Sequence, residues 1–186
     1  METIMLPTLP NETIVQAQQG HAEPVGAIYR HYHQRIFRYL YYRVGDQQTA
    51  EDLTSEVFLR MVRSLSEFRL EGTPFQAWLF RIARNIAIDH FRVSQAHPTA
   101  QLAEAHPAPT NLERIVERSL TSERLQAALA QIAEEQREVI VMRFVLGMNL
   151  AETAQAIHRS EDAVKGLQRR GLMALKEHLK DLEVFS

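Results

Sequence analysis

At 186 residues, with 45% hydrophobic residues, the chain can form one large globular domain or two small ones. A formal net charge of −2 and a pI near 6.5 count against a protein that coats nucleic acid nonspecifically, but permit local basic faces on an acidic molecule. The absence of Cys excludes disulfides, a Cys-based zinc site and a thiol nucleophile; the opening METIMLPTLPNE lacks the pattern of a secretory signal, and no stretch approaches the roughly 18 apolar residues of a membrane span.

Residues 1–10 hold two prolines and read as a loose tail. Asn11 is placed to cap a short helix, Glu12–Gln19, ended by Gly20. His21–Glu23 lead into a longer helical pattern that runs to Val44, with Ile28, Tyr32, Ile36, Tyr39 and Leu40 as its apolar and aromatic positions, and Gly45-Asp46 breaks it. The next helix is expected over Gln47–Glu67. Leu53, Val57, Phe58, Met61 and Leu65 line one face; Asp52, Ser55, Glu56 and Arg63 line the other, with Leu59 among them. A leucine on a polar face is either simply exposed, which is common, or an anchor for a partner. The loop Arg69–Pro74 follows.

Thr73–Arg92 (TPFQAWLFRIARNIAIDHFR) reads as a helix, with Pro74 suited to its first position and Thr73 to its N-cap. At about 100° per residue, Phe75, Leu79, Ile82, Ala83, Ile86 and Val93 share a core face. Arg81, Asn85 and Arg92 lie opposite, with Arg84 and Trp78 at the edges. Such a face suits a nucleic-acid strand: Arg meets phosphates, Asn reads base edges and Trp offers a stacking surface. A polar outer face is also what ordinary surface helices present.

After Arg92 the composition changes. Ser94–Asn111 has three prolines, no Lys or Arg and no sustained apolar period, the pattern of a flexible linker. Beyond it, Leu112–Ser119 suggests a short lead-in helix. Thr121 or Ser122 can cap a helix over Glu123–Ala133; Glu134–Phe144 follows, ended by Gly147; then come Leu150–Ile157, the turn His158-Arg159-Ser160, and a last helix, Glu161–Leu182. Every apolar period is helical, and no internal repeat is visible.

The last two helices and their three-residue turn make a helix-turn-helix pattern. Ala154 sits where the helices would cross closely, Ile157 and Val164 can bury between them, and Ser160 can cap the second. Val164, Leu167, Gly171 and Leu175 form its inner face, with Asp162, Lys165, Arg169, Lys176 and Lys180 opposite. Recognition helices present their N-terminal residues to base edges, so Lys165, Gln168 and Arg169 are contact candidates, with Arg159 and Arg170 on phosphates. A helical hairpin with a charged outside is the plainer alternative.

His31 and His33 diverge by about 200° on a helix and cannot share a metal there, while His97 and His106 fall in the linker; no metal site is expected. No nucleophile–base–acid set, phosphate loop or paired-carboxylate site has supporting spacing, so an enzyme with a small-molecule substrate or a cofactor is not expected.

With both constellations in view, the chain resembles the bacterial sigma factors of the extracytoplasmic-function group over nearly everything from Asn11 to Leu182. AIYRHYHQRIFRYLYYRV and TAEDLTSEVFLRMVRSL look like regions 2.1 and 2.2 of that family, FQAWLFRIARNIAIDHFR like regions 2.3 and 2.4, and LAQIAEEQREVIVMRFVLGMNLAETAQAIHRSEDAVKGLQRRGLMALKEHL like region 4. The resemblance implies an all-α protein of two small domains, a region 2 helical bundle and a region 4 helix-turn-helix. It divides the chain into a tail and short helix (1–20), region 2 (21–93), a flexible linker (94–121) and region 4 (122–183).

It also implies roles. A sigma factor directs RNA polymerase to promoters and helps melt the DNA. The core-polymerase contact, on the beta-prime clamp helices with further contact to the beta subunit, maps to Asp52, Ser55, Glu56 and Leu59. Capture of the melted minus-ten element maps to the loop Arg69–Pro74, Arg69 included, and to Trp78, Arg81, Arg84, Asn85 and Arg92. Readout of the minus-thirty-five element maps to Arg159, Ser160, Lys165, Gln168, Arg169 and Arg170. Such proteins are cytoplasmic, and many are held inactive by an anti-sigma factor, often at the membrane. Two positions depart from the common pattern: His158 stands where the turn often has Gly, and Ser55 where many members have Gln. The chain ends at Ser186, without the C-terminal extension domain of some members. A free-standing helix-turn-helix regulator would explain the C-terminal half but leave the Trp78–Arg92 face and Leu59 idle; a helical adaptor without DNA contact would leave both idle.

Overall fold

A computed structural model describes residues 9–96 and 124–184, with side chains through 94 and 179 respectively. Every regular element among the described residues is helical. The first half comprises α1 (Asn11–Gln18), α2 (Ala22–Val44), α3 (Gln47–Ser64), a 3-10 turn (Leu65–Glu67) and α4 (Phe75–Ala96). The second comprises α5 (residues 124–130), α6 (Glu134–Ile140) running into a π-type turn (Val141–Val145), α7 (Leu150–Ile157) and α8 (Glu161–Val184). No helix among the described residues is long and apolar enough to cross a membrane.

In the first half α2 packs on α1 and α3, and α4 on α2 and α3. The apolar stripe of α2 explains this, since Ile28, Tyr32, Ile36, Tyr39 and Leu40 are each at most 1% exposed. Gly45, with φ 82°, ends α2 in the left-handed conformation that glycine adopts without a Cβ penalty. Asp46 then caps α3, accepting from the Thr49 amide at 2.7 Å, and these hydrogen bonds hold its carboxyl below the usual range.

Several boundaries differ from the sequence reading. Pro10, not Asn11, occupies the N-cap of α1, and no side chain caps it. The helix expected to reach Glu67 tightens into the 3-10 turn after Ser64. Pro74 precedes α4 and its carbonyl receives the first helical bond, from the Trp78 amide at 3.1 Å. α4 runs to Ala96, so Ser94–Ala96 are helical rather than linker. Val93 is 61% exposed and not core, because Arg92, Val93 and Ser94 at the end of α4 all lie open. The helix expected over Glu123–Ala133 stops at residue 130, and 131–133 turn before α6. The rest of the linker, the lead-in Leu112–Ser119, the caps at Thr121 or Ser122, and His97 and His106 lie outside the described residues.

In the second half α8 packs on α6 and α7. The helix-turn-helix forms where the sequence placed it. Asn149 and Glu152 make a reciprocal capping box at the start of α7, each bond 2.8 Å. His158 closes α7 in the left-handed conformation, φ 54° and ψ 48°, doing with a Cβ what glycine does without one. The Ser160 hydroxyl accepts from the Ala163 amide at 3.2 Å. Ala154 (5% exposed), Ile157 (5%) and Val164 (0%) fill the crossing.

The two halves also pack on one another, α4 against α7 and α2 against the π-type turn. Nothing in the sequence pattern announces this closure.

Candidate nucleic-acid and protein interfaces

The outer face of α3 carries Asp52, Ser55 and Leu59 exposed and Glu56 half-buried. Glu56 pairs with Arg60 at 2.7 Å, one turn on, and Arg60 lies 3.7 Å from Asp89 of α4. Asp52 accepts from Gln48 at 3.3 Å, and the Ser55 hydroxyl bonds back to the Glu51 carbonyl at 3.1 Å. Val62, one turn after Leu59, is 51% exposed beside Leu59 at 54%, so the apolar spot is two residues wide. Sequence reasoning missed Val62, although its spacing of three from Leu59 was legible.

Around α4 the six candidates separate into three situations. Arg69, Asn85 and Arg92 are exposed. Trp78 is half-buried against Phe68 and Phe75, with ring centroids 4.8 and 5.4 Å away, so it wedges the loop 69–74 onto the bundle while keeping an open edge. Gln18 of α1 fixes the start of the same loop, donating to the carbonyls of Leu65 (2.9 Å) and Phe68 (2.6 Å). Arg81 and Arg84 face the second half: Arg81 Nη2 donates to the Gln155 carbonyl at 3.2 Å, and Arg84 Nε lies 3.1 Å from the Glu138 carboxylate.

Glu138 is the centre of a network that sequence reasoning missed. Its side chain is 3% exposed. It accepts from Tyr39 Oη at 2.8 Å and from Arg43 and Arg84, while Arg43 also donates to Tyr39 Oη at 2.9 Å and reaches Glu134. Burial opposes the charge on Arg43, yet Tyr39 and Glu138 beside it more than offset that and push its pKa up. Burial, reinforced by Glu138, pushes the Tyr39 phenol up as well. Nearby, Arg35 donates to Gln76 Oε1 (2.7 Å) and the Leu146 carbonyl (3.0 Å), and burial lowers its pKa. Burial likewise pushes Tyr32 to about 12. The available signal was a polar stripe at spacing four, Arg35–Tyr39–Arg43, on an otherwise apolar helix.

On α8, Lys165, Arg169 and Arg170 are exposed on the outer side. Lys165 pairs with Asp162 at 3.0 Å, and that bond raises its pKa. Gln168 is half-buried and accepts from Arg143 Nε at 3.1 Å, while Arg143 also donates to the Met148 carbonyl. Arg143, which the sequence did not single out, therefore holds Gln168 in place. Arg159 is exposed and pairs with Glu135, and the Ser160 hydroxyl serves the cap.

A helical bundle with an arginine- and asparagine-bearing face, followed by a capped helix-turn-helix with an exposed basic outer side, defines an all-helical helix-turn-helix protein of two parts. The chain matches Sigma-70 region 2 over residues 28–96 and Sigma-70 region 4 over residues 128–177. It is 39% identical over 173 residues to the ECF RNA polymerase sigma factor BldN of Streptomyces coelicolor, covering 91% of this chain and 66% of BldN, so it spans just under two thirds of that relative. It is 35% identical over 163 residues to the ECF RNA polymerase sigma factor SigX of Bacillus subtilis, covering 82% of each. The chain belongs to the sigma-70 family, in its extracytoplasmic-function (ECF) group. Its fold is that of CnrH in a complex with the cytosolic domain of CnrY (TM-score 0.74, 22% identity, 91% of this chain and 96% of that one). The sigma factor RpoE of Bartonella quintana, in a complex with the anti-sigma factor NepR, shares it too (TM-score 0.69, 20% identity, 83% and 96%).

Proposed function

We propose that this sigma factor directs core RNA polymerase to promoters through three surfaces. Asp52, Ser55, Glu56 and Leu59 on α3 dock on the beta-prime clamp helices, with the second half reaching the beta subunit. Arg69, Trp78, Arg81, Arg84, Asn85 and Arg92 hold the melted minus-ten strand, arginines on phosphates, Asn85 on a base edge and Trp78 as a stacking platform. Arg159, Ser160, Lys165, Gln168, Arg169 and Arg170 sit at the duplex minus-thirty-five element, with the start of α8 in the major groove. The domains proposed to carry these surfaces are region 2 over 21–93, its last helix continuing to Ala96, and region 4 over 122–183. The observation that carries the reading is the presence of all three surfaces on one chain in family order: an outward Leu59, an α4 bearing Trp78, Arg81, Arg84 and Asn85, and a capped helix-turn-helix.

CnrH and the Bartonella RpoE were each solved with a protein partner, in the second case a named anti-sigma factor. By analogy we assign this chain an anti-sigma partner and a cytoplasmic location, with membrane tethering only through such a partner. The test is reconstitution: purified chain is added to core polymerase on fragmented genomic DNA, and transcript starts are mapped. Starts that require the chain and share upstream elements support the reading; unchanged starts overturn it.

A further inference from the structure

Four arginines of the first half are engaged by acceptors of the second. Arg43 and Arg84 meet Glu138; Arg35 and Arg81 meet the carbonyls of Leu146 and Gln155. Leu146 follows directly on the π-type turn and Gln155 lies in the last turn of α7, so both carbonyls belong to helix ends, where oxygens lack helical partners and carry the negative pole. A carboxylate and an unpaired carbonyl offer a guanidinium much the same acceptor chemistry as phosphate and base oxygens do. Two of the four arginines, Arg81 and Arg84, belong to the proposed minus-ten surface. Most of the other two surfaces is left open: Asp52, Ser55 and Leu59 on α3, and Lys165, Arg169 and Arg170 on α8, are exposed in the same molecule.

We propose that this contact is an autoinhibitory latch, keyed on Glu138, in which the second half occupies Arg81 and Arg84 in place of a nucleic-acid strand. It rests on the minus-ten reading given above. Opening returns Glu138 to water and frees both arginines together, so a single strand and the second half compete for one set of donors. The closed molecule keeps its polymerase-facing helix and its duplex-reading helix available. Docking through α3 therefore precedes separation of the halves, and separation precedes strand capture.

The chain has no cysteine, so Gln19→Cys and Glu177→Cys, both exposed and one in each half, can carry a donor and an acceptor fluorophore on the full protein. Glu138→Gln keeps the side-chain size and removes the charge. The expected result is lower energy transfer at unchanged helical circular dichroism. Apparent affinity for a single-stranded DNA oligonucleotide, without polymerase, should rise about tenfold, since apparent affinity scales with the open fraction. Arg35→Met, which cuts the latch outside α4, should lower transfer in the same way and serves if Glu138→Gln does not fold. Adding Arg84→Ala to Glu138→Gln should abolish the gain in strand binding. Unchanged transfer in both variants overturns the latch. Lower transfer with unchanged strand binding overturns the inhibition. Arg84→Ala in assembled polymerase, tested on a pre-melted template, separates the two ideas: unchanged binding there means that the minus-ten reading has failed.

Discussion

Gly171 shows how one absent methyl group sets the packing of region 4. A Cβ there would lie 3.0 Å from Ile140 Cγ1, 3.2 Å from Gln136 Cβ and 3.3 Å from the Gln136 carbonyl. Alanine is favoured over glycine in a helix by about 1 kcal/mol, but overpacking costs about 1–3 kcal/mol, and here one neighbour is backbone that cannot swing aside. The clash should win, and Gly171→Ala should lower the denaturant midpoint of the protein. Trp78 and Lys165 separate in the same residue-level way. Lys165→Ala, on an exposed side chain, should weaken upstream duplex binding by about 1–3 kcal/mol and leave the thermal midpoint unchanged. Trp78→Ala should impair binding of a single-stranded minus-ten oligonucleotide and also lower stability, because the ring packs on Phe68 and Phe75. Paired duplex and single-strand binding assays beside a melting curve decide this; equal effects of both substitutions on both substrates would refute the division of labour.

At the scale of elements, α3 has two apolar faces, one buried and one open. Val57 and Met61 are at most 1% exposed on its inner side, while Leu59 and Val62 stand more than half open on the outer side. Leu59→Ala should leave the melting curve within a few tenths of a kcal/mol of wild type. It should weaken binding to core polymerase by about 1–4 kcal/mol, measured by competition with a labelled copy. Element boundaries were legible at two places where a stop had its own chemistry: Gly45 and Asp46 between α2 and α3, and His158 and Ser160 around the turn. They were misjudged where an end is decided by packing or geometry. Leu65 continues the apolar period of α3, so nothing in the pattern marks the change to a 3-10 turn. The π-type turn at Val141–Val145 likewise sits inside a run that is apolar but for Arg143, and its signature, the Leu146 amide on the Val141 carbonyl at 3.0 Å, is visible only in three dimensions. Val93 keeps the helical phase of the core face but lies beyond the packed elements, which periodicity alone does not show.

At the scale of the molecule, the surfaces proposed for polymerase and duplex DNA were legible because each is written on one helix. Closure was not, because it joins Arg43 to Glu138 and Arg35 to Leu146 across 95 and 111 residues of chain. His158 reports on this closure. Its pKa is lowered by partial burial and then by Arg81 and Arg84 across the interface. The closed form therefore favours the neutral ring. Its contribution to closure is complete above the ordinary histidine value of about 6.5 and is lost as pH falls through the lowered value. An NMR titration should place His158 below that ordinary value in the wild type, and Glu138→Gln should move it back. A titration identical in both proteins would mean that His158 does not sense the other half.

Of the four first-half arginines that meet the second half, two, Arg35 and Arg81, end on main-chain oxygens there, at Leu146 and Gln155. A substitution at either position changes the side chain and leaves the acceptor where it was. An alanine scan confined to the second half would find Glu134 and Glu138 and miss the two main-chain acceptors; only replacement of Arg35 and Arg81 reveals those. The second half can thus drift in sequence at 146 and 155 without surrendering its grip, provided the helix ends stay in place. At these two contacts the first half has no such latitude, since its share of each is an arginine side chain.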